Sequence, residues 1–405
     1  MKVLRIISRV FIGLIFIFSG YVKVIDPVGS AIKFGEYFEA FHMNALAPAS
    51  LPFGIMLAVV ELVIGICMLF GIKVKLVSWA TLAFMIFFTI LTFVLAVFNP
   101  VSDCGCFGDA IKLTNWETFY KNLILLPFTI FIFIQRKQYK SYLQDKTEWI
   151  LLAILVAFST GIAVYSYRHL PLIDFMAYKV GSNIQEGRIV PEGAPEAVFD
   201  NTFIYEKDGK KEQFKIENLP DSTWTFVDAE SILISEGYIP PTSDFSITDT
   251  NGDFVTDEIL ELPGYMVFIV STDITDINRK EMAEINKLHE YSKAKDIHFM
   301  MLTSSAPDDI EAVLAGTGID FYFTDATVLK SMIRSNLGVM LLQGATILKK
   351  WSNHDIPATD ELEAIIKEDT NAVISGHNNR EKRTTILLSL ILLCILGTSF
   401  FLRKR

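Results

Sequence analysis

Cys104 and Cys106 stand one residue apart in Asp103-Cys104-Gly105-Cys106-Phe107-Gly108-Asp109, a short polar loop between two long apolar runs. They are two of four cysteines; Cys67 and Cys394 lie inside apolar runs. A thiol pair at this spacing has three chemistries open to it. It can exchange electrons as a dithiol and disulfide, it can clip the loop, or it can bind a soft metal. Gly105 permits the backbone angles a tight ring needs. A disulfide between such close neighbours has narrow geometric requirements and exchanges readily. A metal needs more soft ligands than two, and no His lies near. Asp103 and Asp109 oppose thiolate formation, because adjacent carboxylates raise a thiol pKa.

Glu61 is the second candidate. It sits about ten residues into an apolar run, roughly 15 Å along a helix. A carboxylate at that depth marks function by default, as a proton relay or a hydrogen-bond partner for a quinone head group. It could equally serve packing, bonded to Ser19 or another buried group. Lys23 and Asp26, at the end of the first run, read as snorkelling surface anchors. Cys67 and Cys394 read as small apolar fillers. The His residues are scattered without ligand spacing. Asp249, Asn251 and Asp253 lack the Glu of a calcium loop and read as a hairpin turn.

The elements around these residues are membrane spans. The chain has 405 residues, is 51% hydrophobic and has a mean hydropathy of +0.38. Six runs reach the length of about 20 residues that a bilayer requires: Ile6–Ile25, Leu51–Ile72, Leu76–Phe98, Phe119–Gln135, Trp149–Tyr167 and Thr384–Leu402. Lys2, Arg5 and Arg9, then Lys73 and Lys75, then Arg136, Lys137, Lys140 and Lys146, then Arg403, Lys404 and Arg405 all fall on one side of such a topology. That side is expected to be cytoplasmic, with both termini in it, and Arg380, Lys382 and Arg383 form the dissenting cluster. Cys104, Cys106 and the segment 168–383 then face the oxidising exterior, where disulfides persist. The formal charge of -10 comes largely from that segment and gives no reason to expect nucleic acid binding.

The expected fold is therefore an α-helical integral membrane protein with an α/β extracytoplasmic domain. Residues 1–135 form a four-helix unit whose loop Asp26–Ser50 carries an amphipathic helix. Residues 147–167 form a fifth span, 168–243 a small β-rich segment, 244–370 an α/β domain and 384–402 a last span. Asp208-Gly209 marks a hairpin. From residue 244 strands and helices alternate and end in a hairpin and a helix, which implies a mixed sheet covered by helices.

Two resemblances sharpen this. The stretches Phe18-Ser19-Gly20-Tyr21-Val22-Lys23, Val60-Glu61-Leu62 with Gly65, and Cys104-Gly105-Cys106-Phe107-Gly108 make residues 1–135 resemble the DoxX and MauE group of membrane proteins. That resemblance implies a bacterial inner-membrane protein supporting periplasmic redox or disulfide maturation, in a four-helix fold similar to the quinone-linked disulfide-forming enzymes. Implied partners are membrane lipid, an exported client or a periplasmic thiol oxidoreductase, with a quinone as cofactor. The strand order from residue 245 resembles the thioredoxin fold. The family's Cys-x-x-Cys is here Thr275-Asp276-Ile277-Asn278, and its cis-proline position is Leu337. Thr and Asn form no thiolate, so the domain is expected to keep the fold without the redox chemistry. Two functions remain open: a membrane thiol–disulfide redox component using Cys104 and Cys106, or a non-enzymatic scaffold whose thiol-free domain binds an exported client.

Overall fold

The computed structural model describes residues 1–140, 143–235 and 237–401. Helix α1 (Lys2–Ile25) ends where Asp26 caps α2 (Pro27–Ala40), the amphipathic helix expected in the first loop. A 3-10 turn leads into α3 (Ser50–Phe70), followed by α4 (Val74–Phe98), α5 (Asn115–Ile134) and α6 (Asp145–His169). Five helical segments among the described residues are long and apolar enough to cross a membrane; they comprise α1, α3 with its preceding turn, α4, α5 and α6. The segment containing α3 is 61% buried against 28–33% for the others, which makes it the centre of the bundle. Large side chains on the outer helices, such as Trp79, Phe87, Ile90 and Ile124, point outward as lipid contacts would require.

Helices α1 and α3 pack almost backbone to backbone. A Cβ on Gly20 would meet the Leu62 nitrogen at 2.3 Å, and one on Gly65 the Ile17 nitrogen at 2.4 Å. Small residues at both crossings permit that approach. The contact sets the height of Glu61: it lies midway along α3 yet faces the last turn of α1. Helix α6 joins the same core through Leu151, Leu155 and Ala163, so the bundle is larger than the four-helix unit expected over residues 1–135.

Strands β1 (Val198–Lys207), β2 (Lys210–Lys215) and β3 (Thr225–Ser235) form an antiparallel sheet in the order β2-β1-β3. Asp208 and Gly209 make the turn with φ of 52° and 76°. Beyond it, a short helix α7 (Thr256–Leu260) precedes β4 (Tyr265–Ser271), α8 (Arg279–Ala294), β5 (His298–Thr303), α9 (Pro307–Leu314), β6 (Asp320–Phe323), α10 (Ala326–Met332), β7 (Gly338–Gln343), β8 (Thr346–Ser352) and α11 (Thr359–Lys367). The five strands order as β6-β5-β4-β7-β8, with β4, β5 and β6 parallel and β7 and β8 antiparallel. Alternate residues feed opposite faces: Met266, Phe268 and Val270 pack into one core, Val267 and Ile269 into the other. This is the thioredoxin-like α/β domain.

The boundary expected at residue 244 shifts. Tyr178, Val180 and Ile184 are buried in the α/β core, and Gly181 and Ile184 donate to the carbonyls of Ile347 and Ala345. A backbone strap before the small sheet thus belongs to the domain after it, a long-range pairing no local pattern announces. Helix α12 (Thr370–Phe401) runs without interruption from the domain through the expected sixth span. Leu402 of that span, and the cluster Arg403, Lys404 and Arg405, lie outside the described residues.

Candidate functional site

The cysteine loop is held at each end before it reaches the thiols. Asn115, at the start of α5, donates through Nδ2 to Asn99 Oδ1 and to the Val101 carbonyl, both at 2.8 Å. Thr114 and Glu117 form a capping box that fixes where α5 begins. Within the loop, Asp103 Oδ1 accepts from the Gly105 amide at 2.8 Å, and Gly105 takes φ of 62°, the left-handed turn open to glycine. Tyr37 of α2 donates to the Cys104 carbonyl at 2.7 Å. Ser19 Oγ and Lys23 Nζ both donate to the Cys106 carbonyl at 2.5 Å.

These bonds bring the sulfurs of Cys104 and Cys106 to 2.9 Å, both as free cysteines. Cys104 is buried and Cys106 half-buried. The shared hydrogen bond splits their acidities: together with burial it drives the Cys104 thiol up. The Cys106 thiol is lowered to about 6, first because Cys104 donates to its thiolate, then because the ammonium groups of Lys121 and Lys23 face it. Asp103 and Asp109 do not act as expected. Asp103 pairs with Lys33 at 2.9 Å and Asp109 with Arg334 at 2.6 Å, so each carboxylate is answered by a cation. Of the pair, Cys106 is thus the more acidic thiol.

Lys23 is not a surface anchor. It is 8% exposed, and its ammonium donates to Glu61 Oε2 and Ser19 Oγ, each at 2.8 Å, besides the Cys106 carbonyl. Its three N–H groups are all committed. Ser19 and Lys23 are one turn apart on α1, and Gly20 between them admits α3, which places Glu61 within reach. Glu61 is thus a packing partner, though through a buried ion pair with Lys23 that reaches the cysteine loop rather than through Ser19 directly. Asp26 is not a free surface anchor either, being half-buried. It caps α2 through the Gly29 amide at 2.9 Å and accepts from Arg334 Nε at 3.1 Å.

The thiols open onto a cavity of about 550 Å3 inside the bundle. Its walls are largely aromatic and aliphatic, including Phe34, Phe38, Phe84 and Phe88, with Lys23, Lys33, Glu61 and Lys121 as the charged groups. Lys121 also lies 4.5 Å over the Phe107 ring. Sequence reasoning passed over Lys121, although a lysine inside the fourth apolar run is the signal that should have raised it. Lys33 and Tyr37 were read only as part of an amphipathic helix.

The remaining candidates stay apart from this site. Cys67 is fully buried toward the far end of α3, as a filler would be, whereas Cys394 is exposed on α12. Asp249, Asn251 and Asp253 close a turn between the bridged residues Thr248 and Phe254. In the thioredoxin-like domain, Thr275 lies in a 3-10 turn and Asn278 caps α8 in a capping box with Glu281. Asn336, whose peptide bond to Leu337 is cis, fills the place beside them. Its Oδ1 accepts from Ser271 Oγ and the Thr272 amide, both at 2.9 Å, and its Nδ2 donates to the Asp273 carbonyl at 3.0 Å. Hydrogen bonds occupy the position where the fold would otherwise carry its thiols.

Among curated proteins none matches the chain. A solution structure described as a candidate protein disulfide isomerase from Bacteroides thetaiotaomicron is similar at 18% identity, covering 34% of this chain and 91% of that one. Its TM-score is 0.24; the strand order β6-β5-β4-β7-β8 is what makes the domain thioredoxin-like. Residues 199–236, the small sheet, match a domain of unknown function, DUF8463. Residues 1–135 match the family Methylamine utilisation protein MauE, so the family likeness lies in the membrane-spanning part of the chain and takes in Ser19, Lys23, Glu61, Cys104 and Cys106.

Proposed function

We propose that the protein is a membrane thiol–disulfide redox component of the bacterial inner membrane, supporting the maturation of exported proteins. In this reading both termini are cytoplasmic and the thioredoxin-like domain is periplasmic. The observation that carries it is the pair of sulfurs 2.9 Å apart on the wall of an apolar cavity within the membrane bundle. The largely aromatic and aliphatic walls, with a few polar and charged groups among them, suit a lipid-soluble quinone. A quinone there would accept two electrons and two protons as the dithiol becomes a disulfide. The chain's own part is to hold Cys106 as thiolate beside Lys121, to keep Cys104 protonated beside it, and to fix the loop through Lys23, Ser19 and Tyr37. In the complementary exchange, a client thiolate attacks the Cys104–Cys106 disulfide and a mixed disulfide forms. The client's second thiolate then attacks the client sulfur of that bond. The client leaves oxidised, and the pair returns to the dithiol.

The test is direct. The reduced full chain in detergent, freed of reductant, is mixed with a short-chain ubiquinone, and quinone absorbance and free thiols are followed together. One quinol formed per two thiols lost is expected in the parent. None is expected in Cys104→Ser or Cys106→Ser at equal protein level. Failure of the parent to reduce the quinone or to oxidise a dithiol peptide would leave the scaffold function, with the cysteines as a clip.

A further inference from the structure

Two cavities meet at the cysteine loop and share Lys23, Ser30, Lys33 and Gly105 in their walls. The apolar one is lined by Cys104 and Cys106. The other is a polar cleft of about 940 Å3 between the membrane bundle and the thioredoxin-like domain. At the loop its walls are Ser102, Asp103, Gly105, Gly108, Asp109 and Lys112, with neither cysteine among them. The two cysteines thus line the membrane-side cavity alone, and the water-side cleft meets the loop at the residues around them. An exported client reaching through that cleft would meet Gly105, itself covered by Lys33, whose Cγ lies 2.9 Å from where a Cβ would stand.

One side chain from the thiol-free domain holds this arrangement. Arg334, just after α10, reaches across to the membrane unit and is 7% exposed. Its guanidinium bonds Asp26 at the end of α1 at 3.1 Å and Asp109 at the end of the cysteine loop at 2.6 Å. Its remaining nitrogen is fixed to the Lys330 carbonyl at 2.8 Å, so the arginine is braced on its own domain. Asp26 and Asp109 repel one another, and burial already opposes charge on Asp26; Arg334 answers both carboxylates at once. A planar fork can do this where a lysine could not.

We propose that Arg334 is a positioning residue through which the thiol-free domain latches the cysteine loop against the bundle. When the domain withdraws it, Asp26 and Asp109 are left facing each other without a counter-ion, the loop lifts, and Cys106 turns from the membrane-side cavity to the polar cleft. The domain thereby decides which partner the thiol pair meets, a role that needs no cysteine of its own. The latch rests on the loop's geometry; only its purpose rests on the redox function proposed above.

The test is a charge cycle read by thiol access. The reduced full chain in detergent is treated with a charged, water-soluble maleimide, and labelling of Cys106 and Cys67 is followed by mass spectrometry. Arg334→Gln should label Cys106 at least about tenfold faster than the parent, since one partner of a buried ion network is gone. Asp26→Asn with Asp109→Asn should also accelerate it, because the arginine is then unanswered. The triple variant should return to within a few-fold of the parent, because neither charge remains to be answered. Lost packing alone would instead make the triple variant the fastest. Unchanged labelling in Arg334→Gln overturns the proposal, as does a triple variant as fast as either parent variant. Acceleration at Cys67 in step with Cys106 also overturns it, since that is unfolding of the bundle. The labelling needs neither quinone nor client, so its failure and failure of the redox function are separate results.

Discussion

Removing the Cys104 thiol should shift the acidity of Cys106 while barely changing its reactivity at neutral pH. Cys104 is the largest cause holding the Cys106 thiol at about 6. In Cys104→Ala that donor is lost while burial remains, so the pKa should rise to the ordinary thiol value, about 8.5, or above it. At pH 7 the thiolate fraction of Cys106 then falls from about 90% to about 3%, roughly thirtyfold. Nucleophilicity rises with pKa, with a slope of about 0.45, which over 2.5 units returns roughly thirteenfold. The net loss of rate at pH 7 is only about twofold. Above pH 9 the variant should be the faster one, by up to roughly tenfold. The assay is the rate of Cys106 alkylation by a small uncharged iodoacetamide from pH 4 to 10, read by mass spectrometry on the Cys106 peptide. Cys104→Ser supplies the control, since its hydroxyl can still donate and should keep the midpoint low. A midpoint near 6 in Cys104→Ala would refute the assignment of the neighbour as the main cause. A midpoint equally raised in Ala and Ser variants would show that sulfur itself, not the hydrogen bond, is needed.

Two further outcomes are expected. Glu61→Gln leaves the Lys23 ammonium buried without its carboxylate and should cost about 3–5 kcal/mol in denaturant unfolding, whereas Lys23→Met with Glu61→Gln should cost less than Glu61→Gln alone; simple addition of the two single costs would refute the ion pair as a coupled unit. Reporter fusions after Lys140 and after Lys210 should read cytoplasm and exterior respectively, and one location for both would refute the orientation drawn from the lysines and arginines.

Local pattern reached a long way into this protein. Bilayer length picked out α1, α3, α4, α5 and α6, and short buried apolar runs placed β4 and β5 nearly to the residue, because those signals depend only on neighbours in the chain. The single glycine between two cysteines in a polar loop pointed to Cys104 and Cys106 for the same reason. Where the reading went astray, the deciding partner was distant. Lys23 reads as an anchor until α3 brings Glu61 against it across a glycine seam, 38 positions away. Asp109 reads as hostile to a thiolate until Arg334, 225 positions on, takes up its charge. The strap through Ile184 reads as part of a separate β-rich segment until β8 and its turn accept its amide hydrogens. A helix or a strand is selected by its own side chains and can be read from them. A charge takes its meaning from the dielectric and the counter-ion around it, and in this protein only tertiary packing supplies both.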